Sequence, residues 1–229
     1  TLPYPNSSFY VRTAGDVNGD GLSDVLVGEP YYSNGEASEG RVLVHYGAGS
    51  PPSYAANWSV TQSAIDNPNL GWSVSSAGDV NGDGYDDVLV GEPTWYNFLV
   101  PGEVNNGLVQ LFYGHATGLS PSYDWYAYGA SGDQLGVSVA SANVNGDGYA
   151  DIIVGAHAAA GGTGRAHIWY GSATGPSPSG PNVTLTGFSA GGNFGSSVAA
   201  AGDVNGDGYP GIIVGAPLGV DPTSPLSGE

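Results

Sequence analysis

Short apolar runs recur along this chain, each set off by polar, glycine-rich turns. Asp-Val-Leu-Val-Gly occurs from Asp24 and from Asp87, Asp-Ile-Ile-Val-Gly from Asp151, and Gly-Ile-Ile-Val-Gly from Gly211. A brief continuous apolar run between turn signals is the pattern of a strand buried on both faces. A second set is rich in β-branched and aromatic residues and bounded by glycine: Arg41–Tyr46, Leu108–Tyr113 and Arg165–Tyr170. Those compositions also predict strands. A weaker apolar or aromatic stretch follows each of them, starting at Asn57, Tyr123 and Asn182. No segment keeps a helical period with caps, so the pattern predicts an all-β chain.

The runs repeat as a unit. Four segments align, from Ser8, Gly71, Gly136 and Gly195, and their loops open at Asp16, Asp79, Asn143 and Asp203, in steps of 63, 64 and 60 residues. Four short strands per repeat of ~60 residues describe a β-propeller blade, somewhat longer than the ~40–50 of the common families. An open β-solenoid or a sandwich is the plainer alternative. The expected organisation is one region over residues 1–229, with repeats at 8–70, 71–134, 135–193 and an incomplete 194–229. That gives about 14 strands, or about 3.5 blades, where closed propellers have ~4–8 blades. Two such arcs would supply roughly the seven blades of a common closed form. An open arc exposes strand edges and apolar faces, so completion by a second copy or by further sequence is expected.

Each repeat carries an oxygen-rich loop. In the first it is Asp16, Asn18, Asp20, Leu22 and Asp24; in the second Asp79, Asn81, Asp83, Tyr85 and Asp87. The third has Asn143, Asn145, Asp147, Tyr149 and Asp151, and the fourth Asp203, Asn205, Asp207 and Tyr209, with Gly211 at the ninth position. Oxygen donors at positions 1, 3 and 5 can curl around a hard cation, and the glycine at position 6 permits the turn. Position 7 can offer only its backbone carbonyl, and the aspartate at position 9 can close the shell. An EF-hand needs Glu at position 12 between helices, but Val27, Val90, Val154 and Val214 stand there, between strands. A plain Asn-Gly or Asp-Gly hairpin turn would explain one such loop, not four near-copies. The oxygen-only set predicts Ca²⁺, about one per repeat and up to four, with the fourth site weakest because it has fewest ligands.

Composition changes this picture in two ways. The 40 Gly and 16 Pro follow no three-residue period, which fits many tight turns rather than collagen. The net charge is −18, with three arginines (Arg12, Arg41, Arg165) and no lysine. Such a surface repels nucleic acid and anionic membrane. Four bound calcium ions would offset part of that charge. No apolar run approaches the ~20 residues of a membrane helix. Cys and Met are both absent. The missing Met suggests a processed or excised chain, and Thr1–Tyr10 does not read as a signal peptide. Asn6, Asn57 and Asn182 head glycosylation sequons, of a kind that chance often produces.

The calcium-type hairpin combines with a Phe194-Gly195 opening, or a similar one at Gly71-Trp72, and with the ending Gly215-Ala216-Pro217. Together they resemble the FG-GAP repeat of integrin α subunits and bacterial surface proteins, over nearly the whole chain. The departures are Gly28-Glu29-Pro30 and Gly91-Glu92-Pro93 in place of Gly-Ala-Pro, Gly155-Ala156-His157 without the proline, and Ser8-Phe9 in place of Phe-Gly. The resemblance implies a seven-bladed propeller with calcium hairpins on one face. It implies ligand capture on the other face, by the loops holding Tyr31, Tyr32, Trp95, Tyr96, Asn97 and Phe98. These aromatics could equally cover the rim of the core.

No nucleophile–base pair or known catalytic motif occurs, and the four histidines are scattered. The expected function is a non-enzymatic, calcium-stabilised, extracellular or cell-surface module that presents loops to a protein ligand. A carbohydrate-binding propeller, or a purely structural segment of a larger surface protein, is the alternative.

Overall fold

The computed structural model describes residues 9–34, 38–47, 55–61 and 69–220. Three four-stranded antiparallel sheets and one two-stranded sheet follow one another along the chain. The first holds β1 (Tyr10–Gly15), β2 (Asp24–Glu29), β3 (Arg41–His45) and β4 (Trp58–Thr61). The second holds β5 (Ser73–Gly78), β6 (Asp87–Glu92), β7 (Leu108–Phe112) and β8 (Trp125–Tyr128). The third holds β9 (Ser138–Ala142), β10 (Asp151–Ala156), β11 (Arg165–Trp169) and β12 (Val183–Thr186), and the last β13 (Ser197–Gly202) and β14 (Gly211–Gly215). One helical turn, α1 (Ala159–Gly162), interrupts the connection from β10 to β11. Strands pair in sequence order within each sheet. The four strands of each predicted repeat are therefore the four strands of one blade.

The blades stand side by side. β1 packs beside β5, β5 beside β9, and β9 beside β13. The core lies between blades rather than within one. Leu26, Val42 and Val44 of the first blade meet Val74, Val88, Val90 and Phe112 of the second. Leu89, Val109 and Leu111 of the second meet Ile152, Val154 and Trp169 of the third. This explains the continuous apolar runs: every residue of β6, β7 and β10 is buried, because a neighbouring blade covers each face. The first strands line a central cavity of about 520 Å³, which receives Tyr10, Arg12, Ser75, Ser141 and Ala199.

The glycine-bearing ends of the repeat clamp blade to blade. Gly91, at the end of β6, lies so close to the Gly136 carbonyl oxygen that a Cβ would collide with it, and Gly155 meets Gly195 in the same way. Gly136 and Gly195 have φ of 85° and 90°, which a residue with a Cβ rarely adopts. The residue before each entry glycine forms an isolated bridge to the start of the previous blade's third strand: Leu70 to Gly40, Leu135 to Gly107 and Phe194 to Gly164. The apolar partner of Gly71 is thus Leu70, which is fully buried, and not Trp72. Trp72 lies on the far side of the glycine and lines the central cavity. A register shift precedes the loop in the first, second and fourth repeats. The third repeat has one residue fewer there, and its ladder runs without a shift from Ser138 to Ala142.

Candidate metal loops and the opposite rim

The loops between each blade's first two strands share one hydrogen-bonded form. In the first, Asp16 accepts from the backbone N–H of Asp20 at 3.0 Å and of Gly21 at 2.8 Å. Asn18 Oδ1 also accepts from Asp20 N–H, at 3.0 Å, and Asp20 Oδ1 accepts from Leu22 N–H at 2.8 Å. Asp79 and Asp83 repeat the arrangement in the second loop, and Asp203 and Asp207 in the fourth. The N–H groups of Gly208, Gly206 and Asp207 hold the Asp203 carboxyl below its ordinary pKa. In the third loop Asn143 Oδ1 accepts from Gly146 at 2.8 Å, and its other amide position is a donor.

The ninth-position aspartates do separate work. Asp24, Asp87 and Asp151 are buried. Asp24 accepts from Val17 N–H at 2.9 Å and from Gly47 N–H at 2.7 Å, tying the loop to the end of the third strand. Asp87 does the same with Val80 and Gly114, and Asp151 with Val144 and Gly171. Burial pushes all three pKa values up, Asp87 to about 7, against the lowering effect of these N–H bonds. Neighbouring carboxylates add to the rise: Asp83 and Asp79 beside Asp87, and Asp20 and Asp16 beside Asp24. Among the described residues, no three His, Cys, Asp or Glu side chains form a metal-holding group by themselves. Each loop's possible donor set is mixed: carboxylates, one or two Asn carboxamides, and the carbonyl of Leu22, Tyr85, Tyr149 or Tyr209.

The opposite ends of the second strands carry the loops expected to meet a ligand. Tyr31 is exposed and stands edge-on to Trp72 at 6.3 Å. Tyr32 lies 3.9 Å beneath the Arg41 guanidinium, and Trp95 leans on Tyr128 at 6.0 Å. Tyr96 is half-buried. The loop between β6 and β7 exposes Phe98, Leu99, Val100 and Val104, and Phe188, Leu218 and Val220 are exposed elsewhere on this rim. Sequence reasoning reached Phe98 through its aromatic neighbours and passed over Leu99, Val100 and Val104. The signal for them was an apolar run, Phe98–Val100, inside a segment with turn residues on both sides.

A groove of about 430 Å³ runs between the second and third blades, under Tyr126, Tyr128, Trp169 and Pro181. Tyr128, Trp169 and Pro181 also line a neighbouring hollow of about 140 Å³, with Asp133, Arg165 and His167. The Trp169 indole N–H is buried and has no acceptor among the described residues. Two sequon asparagines have a structural task at the turn into the fourth strand. Asn57 Oδ1 accepts from Tyr46 N–H and Asn182 Oδ1 from Tyr170 N–H, both at 2.8 Å. Asp124 fills that place in the second blade, accepting from Tyr113 N–H. The third sequon, at Asn6, lies outside the described residues. No helix among the described residues is long and apolar enough to cross a membrane.

Comparison with known proteins matches these features. The FG-GAP repeat matches residues 70–112, 135–169 and 194–225, and an FG-GAP-like repeat matches 13–90. The chain is 36% identical over 161 residues to phosphatidylinositol-glycan-specific phospholipase D of Bos taurus, covering 65% of this chain and 19% of that protein. It is 31% identical over 150 residues to integrin alpha-4 of Xenopus laevis, covering 62% and 14%. Against integrin alpha-IIb of Mus musculus it is 34% identical over 152 residues, covering 63% and 14%. The match therefore spans less than a fifth of each relative. What these proteins share with the chain is the blade-forming repeat, and the chain belongs to the FG-GAP repeat family of β-propeller proteins.

Proposed function

We propose that this chain is a calcium-stabilised, extracellular binding module that presents the rim opposite its calcium loops to a protein ligand. The carrying observation is the exposed apolar tip formed by Phe98, Leu99, Val100 and Val104. It sits between β6 and β7, two strands buried along their whole length, so an exposed contact surface is mounted on a rigid base. The match to a phospholipase D carries over the repeat alone. We read the chain as non-enzymatic because its polar clusters serve loops and turns.

The calcium reading rests on donor chemistry. The loops offer only oxygen, which suits a hard cation. The pKa of Asp87 is raised by burial and by Asp83 and Asp79, and a divalent ion would reverse that repulsion. Asp16, Asn18, Asp20, Asp24 and the Leu22 carbonyl would hold one ion, with the corresponding residues serving the next two loops. The fourth loop would use Asp203, Asn205, Asp207 and the Tyr209 carbonyl. A bound ion would hold each hairpin shut. Weak sites of this kind fit the calcium-rich extracellular space.

The test is binding to a panel of extracellular proteins in calcium buffer. A partner should lose at least tenfold in affinity to Leu99→Asp while the melting temperature stays unchanged. Binding that ignores substitutions at Phe98 and Leu99 would overturn the rim assignment. A glycan-binding reading has one observation in its favour, the Trp169 N–H, which has no described acceptor, on a residue that lines one groove with Tyr126 and Tyr128. A glycan array read with Tyr128→Ala separates the two readings.

A further inference from the structure

Each of the first three loops is roofed by the next one. The Tyr85 ring lies over Gly19 so closely that a Cβ there would sit 2.6 Å from Tyr85 Cε1. Tyr149 covers Gly82 and Tyr209 covers Gly146 in the same way. No described atom lies within 4 Å of such a Cβ on Gly206, in the fourth loop. Backbone bonds reinforce the link. Asp86 N–H donates to Asp16 O at 3.1 Å, and Ala150 N–H to Asp79 O at 3.0 Å. His115 N–H donates to Val17 O, and Ser172 N–H to Val80 O, both at 3.1 Å. Asp16 N–H donates to Asp86 Oδ2 at 2.8 Å. The first two residues of a loop are therefore held by the blade that follows. At the last joint the residue matching Asp86 and Ala150 is Pro210, which has no N–H to give.

The covering tyrosines occupy the seventh position of their own loops. In the calcium reading, on which this inference rests, the backbone carbonyl of such a residue is a ligand of its own ion. One residue then touches two sites, by its carbonyl in one loop and by its ring in the preceding one. An ion that orders the later loop fixes the ring, and the earlier loop has less freedom left to lose when it binds. We propose that Tyr85, Tyr149 and Tyr209 are positioning residues that couple adjacent calcium loops, so that the ions bind with positive cooperativity along the row. The joint made by Tyr209 is weaker than the other two, because Pro210 removes its backbone bond.

Tyr149→Ala is the informative variant. It keeps the backbone carbonyl, so the donor set of the third loop is unchanged, while the second loop loses its cover. Calcium titration by calorimetry should give the native chain a Hill coefficient above one. Tyr149→Ala should weaken calcium uptake roughly fivefold or more, at the low end of ordinary coupling, and reduce the Hill coefficient. Tyr149→Phe keeps the ring and should match the native chain. In an Asp79→Ala background, where the second site is already lost, Tyr149→Ala should have no further effect. An undiminished effect in that background shows that Tyr149 serves only its own loop and overturns the coupling. So does Tyr149→Phe behaving like Tyr149→Ala, or a Hill coefficient of one in the native chain. If Tyr149→Ala does not fold, Tyr209→Ala in native and Asp147→Ala backgrounds poses the same question at the half-exposed last joint, with a smaller expected loss. A native chain that takes up no calcium overturns the calcium reading and the coupling together, whereas independent calcium binding overturns the coupling alone.

Discussion

The interior blades and the end blades carry almost the same sequence in very different surroundings. Val11 in β1 and Val74 in β5 face Val27 and Val90 at matching register positions. Val74 is 5% exposed and Val11 is 56% exposed. At the other end, Ile153 in β10 is fully buried, while its counterpart Ile213 in β14 is 61% exposed. The acids after the second-strand glycine diverge too. Glu29 accepts from Arg41 Nε at 2.7 Å, whereas Glu92 is wholly buried, receives Gln110 Nε2 on one oxygen, and has no described partner on the other. A blade of this type is completed by its neighbours, and its own sequence does not tell it whether a neighbour is present.

The largest test of this contrast is calcium. An ion bound only by the folded state, at a hundred times its Kd, adds about 2.7 kcal/mol per site. For a chain of this size each kcal/mol is worth ~2–4 °C of melting temperature. Rigorous chelation should therefore lower the melting temperature by about 5–10 °C for each filled site, and calcium should restore it. The interior loops should carry most of this, so Asp83→Ala should cost more than Asp207→Ala, whose loop lacks a ninth-position carboxylate. An unchanged melting temperature would rule out structural calcium, and equal losses would erase the distinction between interior and end loops.

Core substitutions come next. Ile153→Ala should destabilise by ~2–5 kcal/mol through lost burial and a residual cavity. Ile213→Ala should stay within about 0.5 kcal/mol in dilute solution. Urea denaturation measures both. A large loss at Ile213 would show that something covers that face in solution.

Glu92 gives a pH test. Burial raises its pKa to about 8, from an ordinary 4.5, so the folded chain keeps a proton that the unfolded chain releases. Its contribution to stability then declines as pH rises from about 4.5 and levels off above about 8. Glu92→Gln should remove that decline and be the more stable protein at pH 9 in parallel denaturation curves. Glu29→Gln, beside Arg41, should not. If Glu92→Gln is less stable at pH 9, the buried carboxylate has a cationic partner in solution.

The smallest expected effect is association. We propose that the end faces marked by Val11 and Val25 and by Val204 and Ile213 take a further blade, supplied here by a second copy of the chain. Light scattering should show the mass rising with concentration, and Ile213→Lys should abolish the rise. A monomer at high concentration would show that the open faces do not pair with each other.

Much of this was legible in the chain. The continuous apolar runs predicted the second strands, and the glycine-bounded aromatic runs predicted the third. The spacing of Asp16, Asp79, Asn143 and Asp203 gave the blade boundaries. Strand period and turn chemistry act over a few residues, so local sequence carries them. The oxygen pattern of the loops was readable for the same reason, since a tight turn brings positions 1, 3 and 5 together whatever surrounds it.

What the sequence could not decide was contact between residues of different strands and blades. It paired Gly71 with Trp72, and only the bridge from Leu70 to Gly40 shows which side chain seals the blade boundary. It marked Asn57 and Asn182 as sequons, while the fold uses their amides to hold turns. It assigned Tyr149 to its own loop, and the packing of blades laid the ring over Gly82 of another. The repeat itself was written in the sequence, because strand and turn form from near neighbours. Which copy of a repeated residue is buried, paired or left open was decided by tertiary structure, because burial belongs to the space between blades.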